Sequence, residues 1–277
     1  MNFDVIISNP PYNNDIYIDF SDYAFRKLNA GGEMVFITPA KWNSKGDDKN
    51  NDFRDRILPY MDKVVFYPVC YEVFSEALIN GGVSIYHINK DIESSSIDID
   101  IRSEKVSLIS GNEVISKSDF RGTLFVTVNT IVNKFSHGER LRVARVSDRW
   151  YESENYLITG DLFSWGGIVN QQGQTFVLHE LKHWNGLDKI SNDSMLFGET
   201  YTEAEVESMK SYVNTRVVRF LVWLRCSGMH CGQEYTWRFV PAPENLNMIW
   251  TDKMLYEKYG LSDEEIEIIE SIIKERS

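Results

Sequence analysis

The chain opens by alternating strand-like and helix-like segments, and that alternation places it in the α/β class. Phe3-Asp4-Val5-Ile6-Ile7-Ser8 is a short apolar run closed by Asn9-Pro10-Pro11, the pattern of a strand buried on both faces. From Asp15 to Leu28, apolar residues such as Ile16, Phe20, Tyr23, Ala24 and Leu28 recur at roughly helical spacing, and Asn29-Ala30-Gly31-Gly32 supplies the stop. Glu33 to Thr38 predicts the second strand, Asn51 to Met61 a second helix, Val64 to Tyr67 a third strand, and Val83 to Ile88, after Gly81-Gly82, a fourth. Strands alternating with helices predict a mostly parallel, doubly wound sheet.

Around Glu93-Ser94-Ser95-Ser96 the pattern shifts toward serine, aspartate and short β-like runs, which predicts a boundary between residues 1–92 and a second, mixed α/β domain over 93–277. In that second region Thr123 to Asn129, Leu157 to Ile158 and Thr175 to Leu178 read as strands, and helical character returns from Glu203 to Leu224. The tail from Leu261 onward alternates acids with Ile266, Ile268, Ile269, Ile272 and Ile273, an acidic amphipathic helix with Ser262 as its N-cap.

Asn9-Pro10-Pro11-Tyr12 carries the most chemistry. It stands at the carboxyl end of a strand, where open α/β sheets place their ligands. Two prolines stiffen the backbone and remove two donors, leaving nearby carbonyls free as acceptors. The Asn9 amide oxygen and the Pro10 carbonyl could together accept both hydrogens of an amino group, and the Tyr12 ring offers a face for a planar base or amide. Such a device orients a nitrogen lone pair toward an electrophile without a strong base.

Phe3 through Tyr12 resembles the catalytic motif IV region of S-adenosylmethionine-dependent amino-group methyltransferases, and most of all the adenine-N6 DNA methyltransferases of bacterial restriction–modification systems. Phe36-Ile37-Thr38-Pro39-Ala40-Lys41-Trp42 is similar to the strand and loop that follow in that family, and Glu72-Val73-Phe74 with Gly81-Gly82-Val83 resembles its motif VIII. The segment from Arg238 through Trp250 to Ser262 also looks like the closing part of such enzymes. The resemblance touches residues 1–92 and about 216–270. It implies methyl transfer to an adenine flipped out of double-stranded DNA, with Asn9, Pro10, Pro11 and Tyr12 catalytic and Thr38, Pro39 and Phe74 binding substrate. It also implies that Phe74 packs on the base opposite Tyr12. The same tetrapeptide occurs in methyltransferases of release-factor glutamine and ribosomal RNA bases; the large segment from Glu93 to Leu224, in the position of a target-recognition domain, favours DNA.

The family grips its cofactor, S-adenosylmethionine, with a glycine-rich turn after the first strand, and no such motif is found. Gly31-Gly32, Gly81-Gly82 and Gly166-Gly167 lack the Gly-x-Gly spacing, and Leu196-Phe197-Gly198-Glu199 is a feeble match. The first strand here matches the family's fourth, so its free side is expected to pair with a second polypeptide or another copy of the chain. A non-catalytic DNA-recognition or assembly subunit derived from such an enzyme is the alternative.

A formal charge of −12 is the wrong sign for coating nucleic acid non-specifically, so DNA contact requires a local basic surface. Lys134, Arg140, Arg142, Arg145 and Arg149 give residues 134–149 a net +3, a phosphate-gripping row or a solvated basic face. Arg216, Arg219 and Arg225 read as the exposed basic edge of a packed helix. His179-Glu180-Leu181-Lys182-His183 matches the His-Glu-x-x-His zinc pattern, but Lys182 between the histidines and a strand-like approach argue against a zinc peptidase, and no metal site is expected. Cys70, Cys226 and Cys231, an odd number without regular spacing, predict free thiols in a reducing compartment. With no leader-like amino terminus and no membrane-length apolar run, the expected location is the cytoplasm.

Overall fold

The computed structural model describes residues 1–44, 48–77, 79, 81–141, 143–145, 156–159, 181–184, 195–199, 202–226 and 234–273. The chain divides into two compact units, Met1–Val128 and Asn129–Ser277.

The first unit is a six-stranded mixed sheet. Strand β1 (Phe3–Ser8) leads through helix α1 (Ile16–Lys27) to β2 (Leu28–Pro39), helix α2 (Asp48–Ile57) leads to β3 (Met61–Tyr67), and β4 (Val83–Asn89), β5 (Ser96–Ile101) and β6 (Gly111–Ser116) follow. In space the order is β1-β2-β4-β3-β5-β6. β1 runs parallel to β2 and β3 to β5, but β4 is antiparallel to both β2 and β3, and β6 is antiparallel to β5. The sheet is therefore less parallel than the alternation predicted. A parallel return needs a long crossover, usually helical; between β3 and β4 the described chain has only the single turn Cys70–Glu72, and β4 comes back antiparallel.

α1 and α2 cover one face of the sheet. Tyr86 of β4 sits at its centre, fully buried, with the Phe36 ring stacked at 6.1 Å and Trp42 and Phe53 edge-on at 5.8 and 6.5 Å. Its hydroxyl lies 2.7 Å from Ser21 Oγ of α1, so the polar group buried with the ring keeps a partner. Trp42 Nε1 donates to Ser84 Oγ at 2.9 Å.

The opposite face corrects a sequence expectation. β1 is an edge strand paired only with β2 among the described residues, and it is not buried on both faces: Val5 is 60% and Ile7 78% exposed. Its apolar run resembles an interior strand, but no element of the described chain covers it.

The expected boundary at residues 92 and 93 falls inside the first unit, because β5 and β6 extend the sheet to Ser116. Ser-Ile-Asp-Ile-Asp-Ile alternates strictly, with Ile97, Ile99 and Ile101 buried, so the period-two signal of a strand stands just past the expected boundary. Thr123 to Asn129, expected as a strand, instead forms a short 3-10 turn (Val126–Val128) entering helix α3 (Asn129–Lys134). Phe125 is buried there with its ring 5.1 Å from that of Phe66, a tertiary contact that overrides local β propensity.

The second unit contains a four-stranded antiparallel sheet in the order β7-β10-β8-β9, made of β7 (Ala144–Arg145), β8 (Tyr156–Thr159), β9 (Leu181–Trp184) and β10 (Met195–Glu199). The helical stretch over 203–224 is two helices, α4 (Glu203–Val213) and α5 (Arg216–Trp223), because Thr215 adopts an extended conformation and caps α5 through its side chain. α6 (Asp252–Tyr259) and α7 (Asp263–Ile272) follow, and Ser262 caps α7 in a reciprocal capping box with Glu265, as expected. The arginine row of α5 is no exposed edge. Arg219 and Arg225 are buried, Arg225 Nε donating to the Tyr235 carbonyl at 2.6 Å, and Arg216 pairs with Glu270 and Asp252. Cys70 is a free, buried thiol as expected, whereas Cys226 is disulfide-bonded. Among the described residues no helix is long and apolar enough to cross a membrane.

Candidate active site

The carboxyl ends of β1, β2 and β3 meet at one rim of the first sheet. β1 makes its last pair with β2 at Ser8 opposite Phe36, and the chain turns away through Asn9-Pro10-Pro11. Pro10 is buried and Asn9 exposed, so the turn is anchored from beneath while its amide stays accessible. Tyr12 folds back over the end of β2. Its hydroxyl donates to Asn9 Oδ1 at 2.6 Å and approaches the carbonyl of Ile37, one residue beyond the last β1–β2 pair, at 3.3 Å. Partial burial pushes the Tyr12 hydroxyl up to about 12, since the phenolate would lose solvation.

Asn14 and Asp15 follow with φ of 52° and 56°. Left-handed backbone is disfavoured for most side chains and least so for Asn and Asp, and two such residues in succession turn the chain sharply into α1. Asp15 forms an ion pair at 3.5 Å with Lys41, tying the loop after β1 to the turn after β2.

Phe74 approaches from the loop between β3 and β4. Its ring centroid lies 6.4 Å from that of Tyr12, with the planes at 63°, an edge-to-face pair. The loop is fastened by its own thiol: Cys70 Sγ donates to the Ala77 carbonyl at 3.1 Å and accepts from the Ile79 amide at 3.3 Å, while the Phe74 amide donates to the Cys70 carbonyl at 2.7 Å. Glu72 holds it from the other side, Oε1 accepting from Ser103 Oγ and the amides of Glu104 and Lys105 at 3.0, 3.1 and 3.4 Å.

The structure thus brings Asn9, Pro10, Pro11, Tyr12 and Phe74 to one place. Thr38 and Pro39 lie just beneath, but both are buried, and the Thr38 hydroxyl donates to the Pro39 carbonyl at 3.2 Å. They shape the rim without offering a side chain to a ligand. Asp15, Lys41, Cys70, Glu72 and the Ile37 carbonyl were not read from the sequence. Glu72 lay in the quoted Glu72-Val73-Phe74, but its partners stand some thirty residues downstream, and no local pattern announces them.

The basic row in the second unit is spent internally where it is described. Lys134 Nζ donates to the Gly260 carbonyl at 2.7 Å and pairs with Glu265. Arg140 Nη1 donates to the carbonyls of Phe135 and Phe239. Chain ends just past helices offer unpaired carbonyls, and cations settle there; neither side chain is left free to grip phosphate. Arg142 and Arg149 lie outside the described residues, and of Arg145 only the backbone, in β7, is described. His179, Glu180 and the run from Thr175 to Leu178 are likewise outside them, while His183 falls in strand β9 and not on the helix that the zinc pattern requires.

Nor do Gly32 and Gly82 form a cofactor cradle. A side chain at Gly32 would meet the Asn29 and Asp4 carbonyls at 3.0 and 3.2 Å, and one at Gly82 the Tyr67 carbonyl at 2.4 Å. Both glycines are required by close backbone packing, with φ of 79° at Gly82 a further reason there. Gly198 lies within β10, and Gly166-Gly167 lies outside the described residues.

No protein-family model matches the chain, and no curated protein does. Among solved structures it is similar to the M protein of the type I restriction enzyme EcoKI, at 14% identity and a TM-score of 0.31 over 36% of this chain and 25% of that one. It is also similar to a type I restriction–modification methyltransferase subunit from Streptococcus thermophilus, at 15% identity and a TM-score of 0.30 over 48% of this chain and 31% of that one. The type IIG restriction endonuclease BpuSI matches at 14% identity and a TM-score of 0.33 over 55% and 26%. The chain spans between a quarter and a third of the length of each of these proteins.

Proposed function

We propose that the rim at Asn9-Pro10-Pro11-Tyr12 holds the 6-amino group of an adenine flipped out of double-stranded DNA, as in an S-adenosylmethionine-dependent adenine-N6 DNA methyltransferase. The observation that carries this reading is the convergence of Asn9, Tyr12 and Phe74: an amide oxygen 2.6 Å from the Tyr12 hydroxyl, with a second aromatic ring 6.4 Å away. Asn9 Oδ1 and the Pro10 carbonyl accept the two amino hydrogens, leaving the nitrogen lone pair out of the plane of the base. Two parallel rings flanking a base stand at roughly twice the ~3.5 Å contact distance of carbon atoms. The empty pair at 6.4 Å and 63° is therefore slightly too close and tilted, and Phe74 rotates to admit the base.

The residues described do not fit S-adenosylmethionine, because Gly31-Gly32 and Gly81-Gly82 lack the Gly-x-Gly spacing and Gly32 and Gly82 are crowded by backbone, and no step is assigned to that group. In this reading the donor site and the cover for β1 come together, from a second polypeptide or another copy of the chain completing the sheet, and the second unit serves target recognition. The chain alone is then inactive in methyl transfer. The crowding at Gly32 and Gly82 favours one alternative, a recognition or assembly subunit that binds the base without methylating it.

The test is a titration of the chain with duplexes carrying a single adenine, or a single thymine, opposite an abasic site, where flipping costs little. Adenine is expected to bind more tightly. Tyr12→Ala and Phe74→Ala should each weaken adenine binding about tenfold, in line with ~1–3 kcal/mol for one base–aromatic stack. Asn9→Ala should erase the preference for adenine while melting like the wild type, because Asn9 is exposed. Equal binding of the two duplexes by the wild type overturns the reading. Mass spectrometry of the DNA after incubation with S-adenosylmethionine, searching for N6-methyladenine, separates an enzyme from a binding subunit.

A further inference from the structure

Tyr12 brings two groups to the rim, a ring and a hydroxyl, and the stacking role uses only the ring. Among the described residues the hydroxyl is the hydrogen-bond partner of the Asn9 side chain. A carboxamide has two faces: its oxygen accepts, its nitrogen donates, and a half-turn exchanges them. On an exposed residue such as Asn9 little else resists that half-turn. Which face meets a ligand decides whether the site selects a donor or an acceptor.

The phenol has one proton and two acceptors within reach, Asn9 Oδ1 at 2.6 Å and the Ile37 carbonyl at 3.3 Å. The shorter contact takes the proton. Ile37 is held in the β2–β4 ladder opposite Ile85, so its carbonyl is a fixed stop beneath the hydroxyl, and the hydroxyl in turn fixes Asn9. Because burial raises the Tyr12 pKa, the hydroxyl stays protonated, and so a donor, throughout the neutral range. A carbonyl oxygen carries two lone pairs; with one occupied by Tyr12, the other is presented to the ligand.

We infer that the Tyr12 hydroxyl is a positioning group that locks the Asn9 carboxamide with its oxygen toward the site, and so makes the site select a 6-amino over a 6-oxo purine. The inference rests on the proposed function, since it presumes that a purine occupies the rim. A 6-oxo base would set its oxygen against Asn9 Oδ1 and the Pro10 carbonyl, three acceptors and no proton. Without the phenolic proton the carboxamide is free to turn, and its NH₂ then welcomes the 6-oxo base.

The test compares adenine with hypoxanthine opposite an abasic site, by fluorescence anisotropy, for the wild type, Tyr12→Phe, Asn9→Asp and the double variant. The wild type is expected to favour adenine. Tyr12→Phe keeps the ring, so binding persists, but the adenine-to-hypoxanthine ratio of affinities should fall about tenfold, the usual scale for one hydrogen bond gained or lost. Carboxylate oxygens both accept, so Asn9→Asp needs no lock. Adding Tyr12→Phe to Asn9→Asp should leave the ratio unchanged, and this non-additivity is a result that general loosening of the fold would not produce. A Tyr12→Phe ratio equal to the wild type, or an equal drop in the Asn9→Asp background, overturns the inference while leaving the proposed function in place. A wild type that prefers neither adenine over thymine nor adenine over hypoxanthine overturns both.

Discussion

The Glu72 carboxylate receives the Ser103 hydroxyl at 3.0 Å, joining the loop after β3 to the loop after β5 at the rim where Tyr12 stands. Because the same oxygen also accepts two backbone amides, of Glu104 and Lys105, its removal leaves three donors without this partner. Glu72 is exposed, so water replaces part of what is lost, and Glu72→Ala should lower stability by only about 1 kcal/mol. Urea unfolding measures that. The local effect should be larger: amide hydrogen exchange should quicken at Phe74 and Lys105 and remain unchanged in β1. Exchange unaltered at Phe74 would show that the loop is held without Glu72.

A pH series bears on Tyr12. An ordinary tyrosine loses its proton near ~10, whereas burial holds the Tyr12 hydroxyl up to about 12. The folded chain therefore keeps a proton that the unfolded chain releases, and stability present below ~10 is lost as pH rises from there through about 12. The adenine preference should stay flat from neutral pH to ~10, and the melting temperature should fall more steeply above ~10 in the wild type than in Tyr12→Phe. A preference that titrates near neutrality would show that some other group controls the site.

The free edge at β1 has consequences in solution. Val5 and Ile7, 60% and 78% exposed on an edge strand, combine unpaired backbone with apolar side chains, the combination that invites pairing. The purified chain is expected to associate with itself in a concentration-dependent manner, and Val5→Lys with Ile7→Lys to restore a monomer, as seen by sedimentation velocity. A wild type that remains monomeric at the highest concentrations reached removes the argument for a second copy at this edge.

Metal analysis tests the zinc pattern. With His183 on a strand rather than on the helix of the zinc pattern, the purified chain should hold no stoichiometric zinc. One zinc atom per chain, lost on His183→Ala, would restore the pattern as a site.

The local order of the first unit was legible in the amino acids. Apolar runs ending at Asn9-Pro10-Pro11 and at Thr38, helical spacing from Ile16 onward and the serine cap at Ser262 are local signals, and the structure places a strand, a helix or a cap at each. The direction of β4 was not legible, nor was the membership of β5 and β6 in the same sheet. Strand pairing is decided between segments far apart, and a run of isoleucines does not name its neighbour. The burial of β1 was misread for the same reason, since an apolar strand states what it would prefer to touch but not what is present to touch it. Charge was the least legible. Lys134, Arg140, Arg219 and Arg225 look alike as letters in a row, and only the fold decides that each meets a carbonyl, a carboxylate or the interior rather than solvent. The Tyr12–Asn9 bond belongs with these, because three residues apart in a proline turn the two side chains can meet or diverge, and the carbonyl of Ile37 on the adjacent strand sets the hydroxyl where they meet.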